Sequence, residues 1–414
     1  MKTKLASSIV VVLVLATRAH AAGYVAHEWG TFTSVQGSDG QLIRWNPFTP
    51  AELPAFVHER NRPLSPPGTN PVRLFTKSTS GAWLQRMETP VIYFYADAPL
   101  RVDATVEFPG GLVTEWFPLA DGFGPRGEIN RSFVRWSGVE VQPGPPSAER
   151  APPVDQSGSH YFAARATDAA LVTTQSPVTG NTETEKFLFY RGVGNFEAPL
   201  QARFENGELA LLNRGAEQLR SLFVLEVRGH EARVLPIESL AVGAELKPAD
   251  DAGAAFRPLN KVRNELGAAL EHELAAAGLY PREAAAMVKT WDDAWFAEPG
   301  TRVLYILPRA WTDRVLPLKL EPAPRELARV MVGRAEIFDP AVENAMQREV
   351  TLLSEPQQRA ALLERLHTLG LGRFTEPAMQ RAFALKAAAE KQKEPGGTPV
   401  VLLLNCETAP ASAD

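Results

Sequence analysis

Apolar and polar positions along this chain of 414 residues change period twice, and the changes divide it. Leu5 to Ala16 is an almost unbroken apolar run behind a basic start at Lys2 and Lys4, and Ala19-His20-Ala21 follows. A run too short to cross a bilayer, with a small-x-small pattern after it, reads as a secretory leader. Residues 1–21 are therefore expected to be a signal peptide, with the mature chain starting at Ala22. From there to about 250 the period is two. Val91-Ile92-Tyr93-Phe94-Tyr95 is a β-branched and aromatic run between Pro90 and Pro99. Val102, Ala104, Val106 and Phe108 alternate with Asp103, Thr105 and Glu107, as in a half-buried strand. Pro109-Gly110-Gly111 then turns the chain and Leu112, Thr114 and Trp116 return it, so 101–117 is predicted as a hairpin. Further strands are predicted at 186–190 and 221–228, and Asn206-Gly207 marks a hairpin turn between 202–204 and 209–212. Short strands at this spacing predict an antiparallel β-sandwich or jelly-roll-like region over 22–250. The Pro-rich stretches 62–71 and 143–153 are loops, and the second is a possible subdivision.

Near Asn260 the period becomes helical. Val262, Leu266, Ala269, Leu270, Leu274 and Ala277 form one stripe, and Gly278 is a stop. Pro281 opens a second helix with the stripe Ala284, Met287, Val288, Trp291 and Trp295; Pro299-Gly300 ends it, and 302–307 reads as a strand. Residues 251–330 are thus expected as a helix pair plus a strand. Residues 331–414 are expected as a C-terminal helical segment, with helices at 356–369 and 376–391. The fold class is α+β.

Composition narrows the function classes. Apolar residues make up 45% and charged residues 22%, an ordinary globular balance. The net charge is −5, and it falls to −8 once the three basic residues of the leader are removed. A mildly acidic chain without a basic stripe argues against nucleic acid as a partner. No basic amphipathic helix marks it for a membrane surface, and no stable membrane insertion is expected after leader cleavage. Cys406 is the only cysteine. It can form no internal disulfide, and a cysteine-based zinc site or iron–sulfur cluster within one chain is excluded. Its place after Val400 to Leu404 suits a buried thiol. The expected location is exported, periplasmic or extracellular.

Four clusters carry candidate chemistry. In His27-Glu28-Trp29-Gly30-Thr31-Phe32-Thr33, neighbours on a strand face opposite ways, so His27 and Glu28 do not share a site; His27 is a candidate binding residue at a cleft mouth. In His160 to Asp168, a bend near Thr167 would bring His160, Arg165 and Asp168 together, a general base beside a cation for an anionic substrate. Glu271-His272-Glu273 lacks the second histidine of the zinc-protease helix, but Glu273 falls in the apolar stripe, where a carboxylate needs a cationic partner or stays protonated. In Trp291 to Glu298, Asp292 and Glu298 border two tryptophans one turn apart. That is the arrangement of a sugar cleft, with Trp291 and Trp295 as stacking walls and a carboxylate pair for acid–base work. Each cluster also has a structural explanation: a core strand, a braced strand end, a paired carboxylate, a helix tied to a sheet by an Asp292–Arg302 or Asp292–Arg309 pair. No nucleophile elbow, phosphate loop, calcium loop or dinucleotide fingerprint occurs, so no motif names a cofactor, and the scattered histidines give no metal ligand set.

The strings HEWGTFTSVQGSDG (27–40), METPVIYFY (87–95), EKFLFYRGVGNF (185–196) and RVLYILPRAWTD (302–313) resemble a family of uncharacterised exported bacterial proteins over about residues 24–340. The resemblance implies export and a shared layout, and no activity or residue role. Two functional readings follow. In one, an exported binding or structural protein presents the loops of its sandwich to a surface partner or polymer, and the four clusters lie apart. In the other, a secreted or periplasmic hydrolase or lyase, with carbohydrate as one candidate substrate, gathers His160, Arg165, Glu273, Asp292 and Glu298 into one cleft.

Overall fold

A computed structural model describes residues 23–45, 53–60, 83–124, 131–147, 150–154, 158–248, 255–352, 365–366 and 369–393. The leader, the Pro-rich stretch 62–71, Cys406 and most of the helix expected at 356–369 lie outside the described residues.

The first half of the chain supplies β1 (Tyr24–Gln36), β2 (His58–Glu59), β3 (Gln85–Ala96), β4 (Leu100–Phe108), β5 (Gly111–Phe117), β6 (Gly122–Gly124), β7 (Ser132–Gln142), β8 (Leu171–Gln175), β9 (Thr182–Glu185) and β10 (Leu188–Gly194). There follow β11 (Leu200–Glu205), β12 (Glu208–Asn213), β13 (Leu219–Arg228), β14 (Glu231–Leu240), β15 (Glu245–Leu246), β16 (Arg257–Pro258) and the helices α1 (Leu259–Ala276) and α2 (Pro281–Phe296). The chain continues with β17 (Gly300–Ile306), α3 (Arg309–Val315), β18 (Leu318–Glu321), β19 (Glu326–Ile337), α4 (Pro340–Leu352) and α5 (Thr375–Lys393).

Ten strands form one large sheet in the order β16-β14-β13-β17-β19-β1-β3-β10-β5-β2. One of its faces packs on two smaller sheets, β18-β4-β7-β8-β9 with β6 beside β7, and β11-β12-β15. The shared core holds Ala26, Phe32 and Ile92 from the large sheet against Val106, Trp136 and Val172 from the six-stranded one. The other face carries helices. Leu266 and Leu270 of α1 and Met287, Trp291 and Trp295 of α2 bury against Trp29, Val91 and Phe189. Met346 of α4 and Ala378 and Ala382 of α5 gather around Val35 and Trp45 farther along. The α+β class is therefore realised as a sandwich with helices on its outer side.

The Asn206-Gly207 hairpin joins β11 to β12 as the sequence predicts, with Asn206 at φ 54° and Gly207 at φ 86°. The predicted hairpin over 101–117 does not form. β4 pairs with β7 and β18, whereas β5 pairs with β10 and β2, so the turn at Pro109-Gly110 carries the chain from one sheet to the other. Burial explains the switch: β4 alternates buried and exposed positions, but β5 is buried on both sides and belongs in the layer covered on both faces. The sheet is also not purely antiparallel, since β1 and β19 run parallel.

β19 crosses the boundary expected near residue 330 and pairs with a strand from the other side of the one expected near 250. This strand of 12 residues lies at the centre of the large sheet beside β1, so the first and last thirds of the chain share one hydrogen-bonded layer. The segment expected to be helical from 331 opens with this strand and turns helical only at Pro340. Segment 160–165 is a short 3-10 helix over His160–Arg165. Among the described residues no helix is long and apolar enough to span a membrane.

Candidate functional site

The site begins with a bulge. Trp29 of β1 is opposite Val91 of β3, but Thr31 is opposite Glu88, so Thr89 and Pro90 together face Gly30. Proline cannot donate to a ladder and in a central strand it settles at such a bulge. A Cβ on Gly30 would lie 2.9 Å from Pro90 Cα, so the close approach requires glycine. The extra residue reverses the alternation of β3. Beyond the bulge Val91 and Tyr93 point to the helices; before it Arg86 and Glu88 do, and Met87 turns into the sandwich core.

Cross-strand partners then align charged side chains over six neighbouring strands. Arg302 of β17 is opposite Glu336 of β19, Arg334 of β19 is opposite Thr33 of β1, Thr33 is opposite Arg86 of β3, and Arg191 of β10 is opposite Glu115 of β5. Residues in register project from the same side of a sheet. The result is a buried polar belt on the helix face, between the apolar cluster under α1 and α2 and the one under α4 and α5. Exposure is 0% for Arg302, 1% for Arg334, 3% for Glu88 and Glu336, 6% for Arg86 and 8% for Arg191.

Ion pairs hold most of the belt. Arg302 Nε meets Glu336 Oε2 at 3.1 Å, while its Nη groups donate to the carbonyls of Trp295 (3.0 Å), Glu298 (2.5 Å) and Pro299 (3.0 Å) at the end of α2. A cation at a helix C-terminus satisfies carbonyls that lack intrahelical partners. Arg334 Nη2 donates to Glu298 Oε2 at 2.5 Å and to Glu336 Oε2 at 2.9 Å. Arg373, just before α5, donates from Nη1 to both oxygens of Glu88 at 3.0 Å, and Thr33 Oγ1 donates to Glu88 at 2.5 Å. Burial opposes charge on Glu88, but Arg373, Arg86 and the Thr33 hydroxyl outweigh it and hold the carboxyl well below its usual range. Glu336 is lowered in the same way, with Arg302 and Arg334 overcoming its burial. Burial, with Arg191 and Arg373 close by, pushes the Arg86 guanidinium down to about 10 despite Glu88.

The pairing is incomplete. Arg191 Nε and Nη1, Arg334 Nη1, Arg373 Nη2 and the Thr31 hydroxyl are buried with no hydrogen-bond partner among the described residues. A buried guanidinium N–H without an acceptor is costly, and such donors in a native interior call for an acceptor that the described residues do not provide.

A second polar cluster lies on the same face at β1. His27 Nδ1 sits 2.6 Å from Glu283 Oε2, and Glu283 also accepts from the Tyr95 hydroxyl at 2.8 Å and from the Tyr280 backbone N–H at 2.8 Å. His27 and Glu283 are both 0% exposed. The Tyr280 ring covers His27 at 4.4 Å between centroids. Glu283 stands in the first turn of α2, with Pro281 at the helix start, so one carboxylate ties helix and strands together. This is a structural knot, and His27 lines no cleft mouth. Glu28 faces the other way, to Arg329 at 2.5 Å and Tyr190 at 2.5 Å.

The candidate acid–base residues do not meet. Arg165 grips Glu185 with its Nε and Nη2, at 2.6 Å for the closest contact, and Tyr161 joins them at 3.0 Å. Asp168 pairs instead with Arg282 of α2. His160 is exposed at the start of its 3-10 helix. Glu273 accepts from the Ser221 hydroxyl at 2.5 Å. Asp292 is bound by Arg263 of α1, with Nε at 2.6 Å, and Asp293 shares that guanidinium at 2.8 Å. The aspartate thus braces helix to helix, where Arg302 or Arg309 of the sheet side was expected. Glu298 is the one candidate that belongs to the belt, held by Arg334. Trp291 and Trp295 are 7% and 0% exposed and stack on each other at 6.3 Å within the core, so neither offers a face to a sugar. Among the described residues no group of three or more His, Cys, Asp or Glu side chains is placed to hold a metal. A groove of about 600 Å³ lies over the outer face of the six-stranded sheet, lined by Asp103, Thr105, Glu107, Arg131, Arg135 and Lys319. Arg135 pairs with Asp121 and Lys319 with Glu321 there, the pattern of a solvated sheet face.

No protein-family model matches the chain, and no curated protein matches it. Among solved structures it is similar to the Mu homology domain of Fcho1 from Danio rerio, determined with a bound Eps15 peptide. That likeness is 8% identical, covers 77% of this chain and 98% of the other, and has a TM-score of 0.29. At that level it carries no argument about fold or function.

Proposed function

We propose that this chain is an exported binding protein and that its ligand is held at the arginine belt. The observation that carries the reading is the set of buried N–H donors on Arg191, Arg334 and Arg373 that find no acceptor among the described residues. Export is supported by the basic start, apolar run and small-x-small pattern of residues 1–21. A hydrolytic reading has less support. General acid–base catalysis needs carboxyls or imidazoles converging on one substrate, and Arg165, Glu273 and Asp292 are each engaged with a different local partner.

The test is turnover. Purified mature chain, incubated with panels of oligosaccharides, polysaccharides and esters, is expected to release no product, and Asp292→Asn and Glu273→Gln are expected to behave as the parent does. Product formation that disappears in Asp292→Asn would restore the hydrolase or lyase and remove the binding reading. Asp292→Asn should lower stability only by about 0.5–1 kcal/mol, because the Arg263 pair is partly solvated.

A further inference from the structure

We infer that the groove over the outer face of the six-stranded sheet binds an uncharged polyhydroxylated chain, a neutral glycan. This site is separate from the arginine belt. The belt lies under the helices on one side of the large sheet, and the six-stranded sheet packs on the other side.

Register builds the groove in three rows. Residues opposite each other across strands project from the same side of a sheet. Lys319 of β18, Thr105 of β4 and Arg135 of β7 form the middle row. Glu107 of β4 and Phe133 of β7 stand on one side of it, and Glu321 of β18 and Asp103 of β4 on the other. A cationic row with a hydroxyl at its centre thus lies between two acidic rows, and successive rows are about 7 Å apart along the strands. Arg131 adds a third cation to the lining, so three cations meet three carboxylates and the net charge is zero.

That pattern selects the ligand. Without net charge, the groove exerts no field that would gather a polyanion or a polycation. A charged group seated on one row also meets its own sign in the next, which disfavours charged chains. A hydroxyl donates and accepts at once, so a chain of hydroxyls finds a partner in every row. The pairs already present do not close the groove. Arg135–Asp121 at 3.5 Å and Lys319–Glu321 at 2.7 Å are exposed pairs of small worth. The side chains of Thr105, Glu107 and Arg131 make no hydrogen bond among the described residues. Phe133, half-buried, offers apolar surface to the C–H face of a sugar ring.

Two glycines give the groove its room. Gly122 and Gly124 of β6 are opposite Arg135 and Phe133, so side chains at these positions would stand in the same rows. Neither has the positive φ that demands glycine. A Cβ at Gly122 would lie 3.0 Å from Arg135 Nη2, and one at Gly124 would lie 3.6 Å from the Phe133 ring, so larger residues would crowd both groups. Glycine in a strand without a turn to make is a mark of close approach by a ligand or another backbone. The volume of about 600 Å³ is that of a ligand site and not of a surface dimple.

The experiment is affinity electrophoresis of the mature chain in native gels cast with dextran, galactomannan, xyloglucan or hydroxyethyl cellulose, with alginate as the polyanionic comparison. Retardation by at least one neutral polysaccharide, and none by alginate, is expected. Glu107→Ala combined with Arg131→Ala removes two exposed groups and should weaken retention at least fivefold. Gly122→Leu, which fills the groove beside Arg135, should weaken it as well. Arg228→Gln, at an exposed pair on β13, should be retarded as the parent is. Unchanged retention in the double variant would overturn the assignment, as would retardation by alginate or migration unaffected by all four neutral polymers. Should the groove variants fail to fold, hydrogen–deuterium exchange on the parent decides. Protection by the retarding polymer over residues 103–107 and 131–137 supports the site, and protection confined elsewhere refutes it. Silence toward the neutral polymers removes the glycan and leaves the belt reading standing, because the two sites lie on different layers.

Discussion

Glu88→Gln is expected to lower stability by about 3–5 kcal/mol, the range for breaking a buried ion pair by removing one partner. The amide fits the same space, so the loss is electrostatic. Arg373 and Arg86 then face a neutral group, and the Thr33 hydroxyl loses a charged acceptor. The lower end applies, because the Arg373 side chain keeps 18% exposure and so recovers some hydration. The substitution should also change the pH profile. The Glu88 carboxyl is held below its ordinary value in the folded state. Its contribution is therefore fully present above the unfolded carboxyl value, near pH 4.3, and is lost as pH falls toward the folded value. Unfolding midpoints in urea at pH 7, 5, 4 and 3 should fall steeply for the parent and less steeply for Glu88→Gln. Some acid sensitivity should persist, since Glu336 is lowered in the same manner. A loss under about 1 kcal/mol at pH 7, or parallel acid limbs, would show that Glu88 does not organise the belt.

Much of the layout is legible in sequence because its signals are local. The stripes of α1 and α2, with Pro281 at one start and Gly278 after one end, place both helices to within a few residues. The same holds for the Asn206-Gly207 turn. What sequence periodicity hides is long-range. β19 straddles the boundary expected at residue 330, and Arg329, Arg334 and Glu336 are buried because partners from Glu28, Glu298 and Arg302 reach them across the fold. β4 and β5 alternate as a hairpin would, and only the two-sided burial of β5 sends it to another sheet. The belt is harder still. Its members come from separate segments with no fixed spacing, and strict alternation back from Val91 would aim Arg86 and Glu88 into the sandwich core. The available signal was Pro90 inside a strand-like run: a proline there indicates a bulge, and a bulge reverses the facing of everything before it. The candidate clusters lie apart for a related reason. A charged residue at an apolar boundary signals a partner, and sequence alone does not separate an arginine from a substrate.

Trp295→Ala is expected to cost about 3–5 kcal/mol, as truncation of a buried aromatic does. Trp295 is 0% exposed, lies 6.3 Å from Trp291 and 6.0 Å from Phe296 between ring centroids, and fills the space between α2 and the sheet beside the belt. A stacking wall for sugar must present a ring face to solvent, and this ring has none to present. The effect should therefore fall on unfolding free energy and not on any titration with glycans. Trp295→Phe should recover most of the loss because the ring contacts are largely kept. The consequence reaches the belt through the backbone: the Trp295 carbonyl accepts from Arg302, which in turn holds Glu336 and so positions Arg334. Slackening the end of α2 should then raise amide exchange at Trp295 to Glu298 and loosen the Arg334 arm, while Arg191, four strands away from β17 in the sheet, keeps its setting. If Trp295→Ala instead left stability within about 1 kcal/mol of the parent and altered binding of an oligosaccharide, the core assignment of this tryptophan would be wrong and a carbohydrate cleft at the α2 end would have to be reconsidered.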